Sequence, residues 1–232
     1  MAGTEIDLAS EVTDRQHRNT MKCSALLFAV SLTMLASPAL AQPVPESAKA
    51  NVISCAGPFA PDSNFAKLQQ SFGAANVTNE QIDGAEGDKV RVTVLFAKIK
   101  ARRIEISWNN KARKRINMVT LGHSTQWVAS GVQIGSTLAE VEALNGKPFT
   151  LAGFDWDYAG TVTDWQDGKL ETLPGGCRLG VRFDADRQSP AAARDKVTGD
   201  KDFASTDATI RAARPRVYEI FLSYPDEPAK SE

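Results

Sequence analysis

The side chains best suited to binding or catalysis lie in residues 153–168, where aromatic residues and carboxylates alternate. Aromatic ring faces cover the apolar surfaces of sugars, while neighbouring carboxylates accept hydrogen bonds from sugar hydroxyls. Exposed Trp and Tyr side chains also anchor protein interfaces. The segment therefore predicts a binding site for a protein or a glycan. Its candidate residues are Asp155, Trp156, Asp157, Tyr158, Asp164 and Trp165.

The same alternation is also typical of a half-buried strand. On a strand, Phe154, Trp156 and Tyr158 would share the core face, and Asp155 and Asp157 would point outward. Core packing and ligand binding therefore remain as two interpretations of these aromatic residues.

Two metal or catalytic interpretations of the carboxylates are less favoured. Asp155, Asp157 and Gly160 begin like a calcium loop, but Ala159 occupies a ligand position and no bidentate Glu closes the loop, which excludes an EF-type site. A glycan-hydrolysing couple would need one carboxyl group with apolar burial, and an outward strand face does not provide it. Hydrolysis with Asp155, Asp157 and Asp164 stays as an alternative.

Other catalytic signals are sparse. Beyond residue 41 there is one histidine, His123, and the chain has no HExxH, GxSxG, GxGxxG or phosphate-loop motif. We therefore expect no metal and no cofactor. A pair of His123 with Cys177 as base and nucleophile is disfavoured, because a disulfide would consume the thiol. These observations favour a binding protein over an enzyme.

The N-terminal region predicts export. Met21 and Lys22 precede an apolar run over residues 25–35, and Ala39 and Ala41 form a small-residue cleavage site before Gln42. We interpret residues 1–20 as a non-native extension from a misassigned start, and residues 21–41 as a signal peptide. The apolar run is shorter than the roughly 20 residues of a membrane span. Localisation is predicted to be periplasmic or secreted, with no membrane span after cleavage.

Charge excludes one class of partner. Residues 1–41 contain three of the 27 Lys and Arg residues and four of the 28 Asp and Glu residues, so 24 of each remain after cleavage. A neutral balance provides no overall attraction for nucleic acid. The expected partner is a protein or an envelope glycan.

Cysteine usage predicts one disulfide. Cys23 leaves with the signal peptide, and Cys55 and Cys177 remain in an oxidising compartment. The alternative is a pair of buried free thiols.

An internal repeat organises the chain, since residues 63–73 align without gaps on residues 136–146. Each segment has a Ser as candidate N-cap, Ser63 or Ser136, and ends on a Gly, Gly73 or Gly146. Both patterns predict a short helix with one apolar face. The residues of those faces are Phe65, Leu68 and Phe72 in the first helix and Leu138, Val141 and Leu144 in the second.

Strand patterns follow each helix. Residues 103–108 align with residues 178–183, and both alternate with a period of two. Residues 184–214 interrupt the second copy and are expected to be a mobile or partly helical insertion. The predicted fold is α+β: two tandem repeats, residues 42–125 and 126–232, each a short helix followed by an antiparallel three- or four-stranded sheet. Further strands are predicted over residues 90–96, 116–121, 158–165 and 217–224.

Two surface features add binding hypotheses. Trp108, Trp127, Trp156 and Trp165 would form a partner surface on one side of the sheet wherever they are exposed. A basic cluster flanks the strand that ends at Trp108, and it fits either an anionic partner or solvated loop tips that protect sheet edges. The cluster comprises Lys98, Lys100, Arg102, Arg103, Lys111, Arg113, Lys114 and Arg115.

Two resemblances accompany these patterns. Residues 131–149 (GVQIGSTLAEVEALNGKPF) and 153–160 (GFDWDYAG) resemble a group of uncharacterised secreted or periplasmic bacterial proteins. The doubled helix that opens with Gly135, Ser136 and Thr137 is similar to the α/β modules of the β-lactamase inhibitor protein and the outer-membrane lipoprotein SmpA. The second resemblance implies a protein that binds other proteins and is not an enzyme.

Overall fold

A computed structural model describes residues 51–84 and 87–225. The proposed start at Met21 and the signal peptide, residues 21–41, lie outside the described residues. The domain boundary placed at residues 125 and 126 falls between two strands of the described part.

The described chain forms strands and short helices. The strands are β1 (Val52–Ile53), β2 (Val77–Asp83), β3 (Lys89–Leu95), β4 (Ile104–Trp108), β5 (Ile116–Leu121), β6 (Val128–Ala129), β7 (Thr150–Ala152), β8 (Val162–Asp164), β9 (Arg178–Asp184), β10 (Asp202–Ala204) and β11 (Arg216–Ser223). The α-helices are α1 (Phe65–Phe72), α2 (Leu138–Asn145), α3 (Ala191–Asp195) and α4 (Ala208–Ala212).

Three sheets result. The largest has six antiparallel strands in the order β2-β3-β4-β5-β11-β9. A three-stranded antiparallel sheet has the order β10-β7-β8, and β1 pairs in parallel with β6. An antiparallel bridge between Thr161 and Arg182 links the start of β8 to the edge strand β9. The α+β class with antiparallel sheets is confirmed.

The six-stranded sheet buries one face. Along β4, Ile104 and Ile106 are fully buried, whereas Glu105 and Ser107 are half-buried. β9 repeats this alternation over its whole length. A period of two places successive side chains on opposite faces, so one face joins the core and the other borders solvent.

Helices α1 and α2 form where predicted, but each is capped one residue later than expected. The side chain of Asn64 accepts from the Lys67 amide at 3.0 Å, and Thr137 forms a capping box with Glu140. Ser63 is instead buried and donates to the carbonyl of Pro58 at 2.5 Å. Asn and Thr cap as well as Ser does, so local sequence does not decide between neighbouring candidates.

Both helices end as predicted on a glycine with positive φ. The C-caps Gly73 and Gly146 have φ of 83° and 77°. On the predicted apolar faces, Leu68, Leu138 and Val141 are buried, and the other three side chains pack partly against the core.

Several predicted strands differ from those observed. The stretch 158–165 is a strand only over β8, because a turn occupies residues 155–160. β2 was not predicted, since its polar sequence (VTNEQID) reflects an exposed edge strand. Edge strands bury little of either face and therefore carry a weak apolar pattern.

The segment 184–214 is partly helical, as expected, but it is packed into the fold. It contributes α3, α4 and β10, and β10 pairs with β7. Val197 and Ile210 are fully buried in the main core. This segment is therefore corrected from a mobile insertion to a part of the core.

The predicted disulfide between Cys55 and Cys177 is present, and both residues are buried. The longest described helices have eight residues, and none in the described part of the chain is long and apolar enough to cross a bilayer.

Candidate functional site

Two of the four candidate tryptophans are core residues. Trp127 and Trp165 are each 6% exposed, and their indole N–H groups donate to the carbonyls of Arg102 and Leu179 at 3.0 and 2.9 Å. A buried indole needs such an internal partner. Both are therefore corrected from binding candidates to structural residues.

Trp108 is half-buried at the end of β4. Its indole N–H donates to the hydroxyl of Thr93 at 2.9 Å, and its ring lines a cleft beside β3. Trp108 ends the third strand of the six-stranded sheet, whereas the turn that carries Trp156 is hydrogen-bonded to the edge strand β9, so the four tryptophans do not form one surface.

The exposed aromatic side chains belong to residues 153–161, which we call the aromatic turn. Trp156 and Tyr158 are 40% and 66% exposed, and their rings meet edge to face with centroids 6.5 Å apart. Phe154 is buried in the core. The strand interpretation, which placed all three rings in the core, is therefore corrected for Trp156 and Tyr158.

Backbone hydrogen bonds hold the aromatic turn at both ends. The Gly160 amide donates to Gly153 at 2.9 Å, and the Phe183 amide of β9 donates to Gly160 at 2.8 Å. The Phe154 amide donates to Val197 at 2.8 Å. The turn is thus fastened by its backbone to β9 and to the segment that precedes β10, on either side of its two exposed rings.

The three candidate carboxylates are exposed and do not share a cleft. The Asp155 side chain accepts from the Thr198 hydroxyl at 3.1 Å, and Asp164 accepts twice from Gln166 at 2.7 Å. The cleft lined by Asp164 does not include Asp155 or Asp157. An acid–base pair needs both groups around one reacting bond, so this arrangement does not assemble one.

A charged cleft of about 430 Å³ lies on the solvent-facing side of the large sheet, and sequence reasoning did not identify it. Glu105, Thr120 and Glu219 come from three adjacent strands, β4, β5 and β11, and His123 follows β5. We call this the Glu219 cleft. Arg103 contacts Glu80 and Glu105 at 2.8 and 2.9 Å, and Arg182 lies 3.4 Å from Glu219.

Glu219 is the carboxyl group of this cleft whose pKa is perturbed. Burial raises the pKa of its carboxyl above the usual range, Arg182 opposes that shift, and the negative charge of Glu105 adds to it. Perturbed carboxyls in clefts are candidates for function, but ion-pair networks produce the same effect. Five charged side chains form two such ion-pair groups here: Arg103 with Glu80 and Glu105, and Arg182 with Glu219.

Replacing Glu219 with Gln tests this assignment. A raised folded pKa means that the contribution of the protonated carboxyl to stability is present below the unfolded pKa and is lost as pH rises through the folded pKa. We expect the stability of Glu219→Gln relative to the parent to be greater at about pH 7 than at about pH 4. Urea unfolding at both pH values measures it; an equal difference at both would contradict the burial effect.

The disulfide excludes one further site hypothesis. The Cys177 thiol is in the disulfide, so it is not a nucleophile for His123. Within residues 51–84 and 87–225, no group of three or more His, Cys, Asp or Glu side chains is arranged to hold a metal ion.

Comparison of the chain with protein-family models, with curated sequences and with solved structures finds no match.

Proposed function

We propose that this chain is an exported, periplasmic binding module that is not an enzyme and that recognises a protein through the aromatic turn. The observation that carries the proposal is the exposed pair of Trp156 and Tyr158 on a turn fastened by backbone hydrogen bonds. Trp and Tyr are the residues most enriched among side chains that dominate binding energy at interfaces.

The anchored backbone of the aromatic turn is the physical reason why Trp156 and Tyr158 suit recognition. A side chain that is already ordered loses less conformational entropy on binding, and association otherwise costs about 0.5–1.5 kcal/mol for each immobilised flexible side chain. Tyr and Trp have only two side-chain dihedrals to fix. The anchored turn therefore reduces the ordering cost of a contact made by both rings.

The exposed carboxylates define the rim around the rings. Asp155 and Asp157 are both exposed beside Trp156 and Tyr158. A complementary surface would present an apolar pocket bordered by Lys or Arg, since rim charges steer association and select among partners.

A tandem repeat is part of this proposal. The sequence separation between the start of the helix and the start of the next strand is the same in both halves. It runs from Phe65 of α1 to Val77 of β2 and from Leu138 of α2 to Thr150 of β7. The last strands of the two halves, β5 and β11, pair antiparallel with Leu121 opposite Ile220. This order supports the likeness to tandem modules of the β-lactamase inhibitor protein and SmpA type.

Export is proposed from the signal-peptide pattern of residues 21–41. The disulfide supports it, because such bonds persist in oxidising compartments and are rare in the cytosol.

An envelope glycan is the second candidate ligand, and the same turn favours it. Ring faces next to solvated carboxylates match the apolar faces and hydroxyls of sugars. Because the carboxylates are not gathered in one cleft, this candidate is a glycan binder and not a hydrolase.

Affinity capture tests the proposal. The tagged chain is exposed to a periplasmic extract with mild crosslinking, beside Trp156→Ala/Tyr158→Ala and a control, Val52→Ala/Ile99→Ala, which removes exposed apolar side chains elsewhere. We expect one protein to be recovered by parent and control and reduced about tenfold or more by the turn variant. Equal recovery by all three would overturn the protein-binding site. Retention on peptidoglycan by parent and control alone would establish the glycan alternative.

A further inference from the structure

A second cleft lies at the edge of the large sheet opposite to the aromatic turn. We propose that it binds a small organic anion with an apolar or planar body. Its volume is about 610 Å³, within the range of small-molecule sites. We call it the basic cleft. Its lining includes Asn79, Arg91, Thr93, Trp108, Lys111 and Arg113.

The lining carries three cations and no carboxylate. Arg91 and Lys111 are exposed, and their side chains make no hydrogen bond or ion pair with the described part of the chain. By contrast, Arg103 of the same sequence cluster is neutralised by Glu80 and Glu105 on the opposite face of the sheet. The tertiary structure thus separates a solvated ion-pair network from a cleft that has three cations and no carboxylate among its described lining residues.

The hydrogen bonds within this cleft leave donor groups, and not acceptors, facing a ligand. Arg113 donates to the Asn79 Oδ1 atom at 2.8 Å, and the Thr93 hydroxyl donates to the same oxygen at 3.2 Å. Arg can only donate, so the oxygen of Asn79 must face Arg113. The acceptor of Asn79 is therefore occupied, and its amide N–H₂ remains to donate.

Arg113 is held in place before any ligand arrives. Its guanidinium carbon lies 3.9 Å from the ring centroid of Phe65, and its backbone has a φ of 52°, which is uncommon for a residue other than Gly. Stacking and the bond to Asn79 leave other guanidinium N–H groups for an anion. Charge-assisted bonds to carboxylate or phosphate are about twice as strong as neutral ones.

The wall formed by Trp108 specifies the body of the ligand. Its indole N–H is occupied by Thr93, whose hydroxyl lies in the interior. The ring therefore offers apolar and π surface to the cleft and no free donor. A carboxylate or phosphate on a planar or apolar body matches both halves of the lining.

Titration with 1-naphthyl phosphate and 1-naphthoate tests the site, with neutral 1-naphthol as the uncharged probe. Binding is followed at the Trp108 indole N–H signal by NMR, assigned with Trp108→Phe. We expect both anions to shift this signal and 1-naphthol to bind at least about tenfold more weakly than the anions. The affinity for the anions should fall as the salt concentration rises. A response to one anion alone identifies the headgroup as phosphate or as carboxylate.

Arg91→Gln/Lys111→Gln is the test variant, because neither side chain supports the fold through a described contact. Lys98→Gln/Lys114→Gln is the matched control, with the same change in charge at exposed positions outside the cleft lining. We expect about a tenfold loss of anion affinity in the first and little change in the second. Equal affinity for 1-naphthol, equal losses in both variants, or no shift of the Trp108 signal would overturn the proposal.

The two proposals fail separately. The basic cleft lies between β2, β3 and the β4–β5 connection, whereas the aromatic turn is fastened to β9 at the opposite edge of the sheet. Loss of partner capture by the turn variant therefore leaves anion binding unchanged.

Discussion

Replacing Cys55 and Cys177 with Ala is expected to lower the free energy of unfolding by about 4 kcal/mol. The disulfide closes a loop with a sequence separation of 122 residues, and cross-linking such a loop removes about 4 to 5 kcal/mol of conformational freedom from the unfolded chain in the chain-entropy model. The residual stability of a domain is only about 5–15 kcal/mol. Urea unfolding followed by tryptophan fluorescence measures the change.

Reduction provides the control for this prediction. Both cysteines are buried in the core, so the Ala variant also removes two packed sulfur atoms. Dithiothreitol should lower the melting temperature of the parent and leave that of the double variant unchanged. If the double variant loses less than about 1 kcal/mol, the cross-link is not a main source of stability.

Replacing Gly160 with Ala is expected to destabilise the protein by about 3 kcal/mol or more and to displace the aromatic turn. Gly160 has a φ of 66°, and a Cβ atom there would overlap the carbonyl oxygen of Phe183. The carbonyl oxygen belongs to the backbone, so it cannot move away from the added Cβ atom as the end of a flexible side chain could. The overlap would separate Gly160 from Phe183 and break the hydrogen bond that fastens the turn to β9.

Gly199→Ala is the matched control. Gly199 also has positive φ, 99°, and its amide donates to the carbonyl of Phe154, yet a Cβ atom at this position meets nothing within 4 Å. We expect it to cost about 1–2 kcal/mol from backbone strain alone. Urea unfolding compares the two variants, and an equal loss in both would show that the contact with Phe183 does not determine the conformation of the turn.

Local patterns in the sequence were enough to predict the helices α1 and α2 and most long strands. Residues 65–72 and 138–145 combine an apolar face with a terminal Gly, and 116–121 was predicted with the bounds that β5 has. These signals arise from contacts within one turn or one strand. The cap positions moved by one residue because neighbouring Ser, Thr and Asn residues cap almost equally well.

The aromatic turn shows why alternation alone is ambiguous. Residues 154–158 alternate as a strand does, but hydrogen bonds from Phe154 to Val197 and from Phe183 to Gly160 bend the chain there. Those partners are more than 20 residues away, so no local pattern contains them. The exposure of Trp156 and Tyr158 follows from that bend.

Charge clusters show the same limit for sites. The basic cluster lies within residues 98–115, but its members belong to different sites. Arg103 forms ion pairs with Glu80 and Glu105. Lys111 and Arg113 line the basic cleft together with Arg91. Glu105 and Glu219 are far apart in the sequence, and only the strand order brings them to one cleft.

The sequence by itself determined the α+β class, the helices α1 and α2 and the pairing of the cysteines. These depend on local periodicity, capping and the parity of the cysteines beyond residue 41. Only the tertiary structure decided that β5 pairs with β11, that Trp127 and Trp165 are core residues, and that the aromatic turn is exposed. Strand neighbours are selected by long-range packing, because a strand pattern defines which face is apolar and not which strand lies beside it.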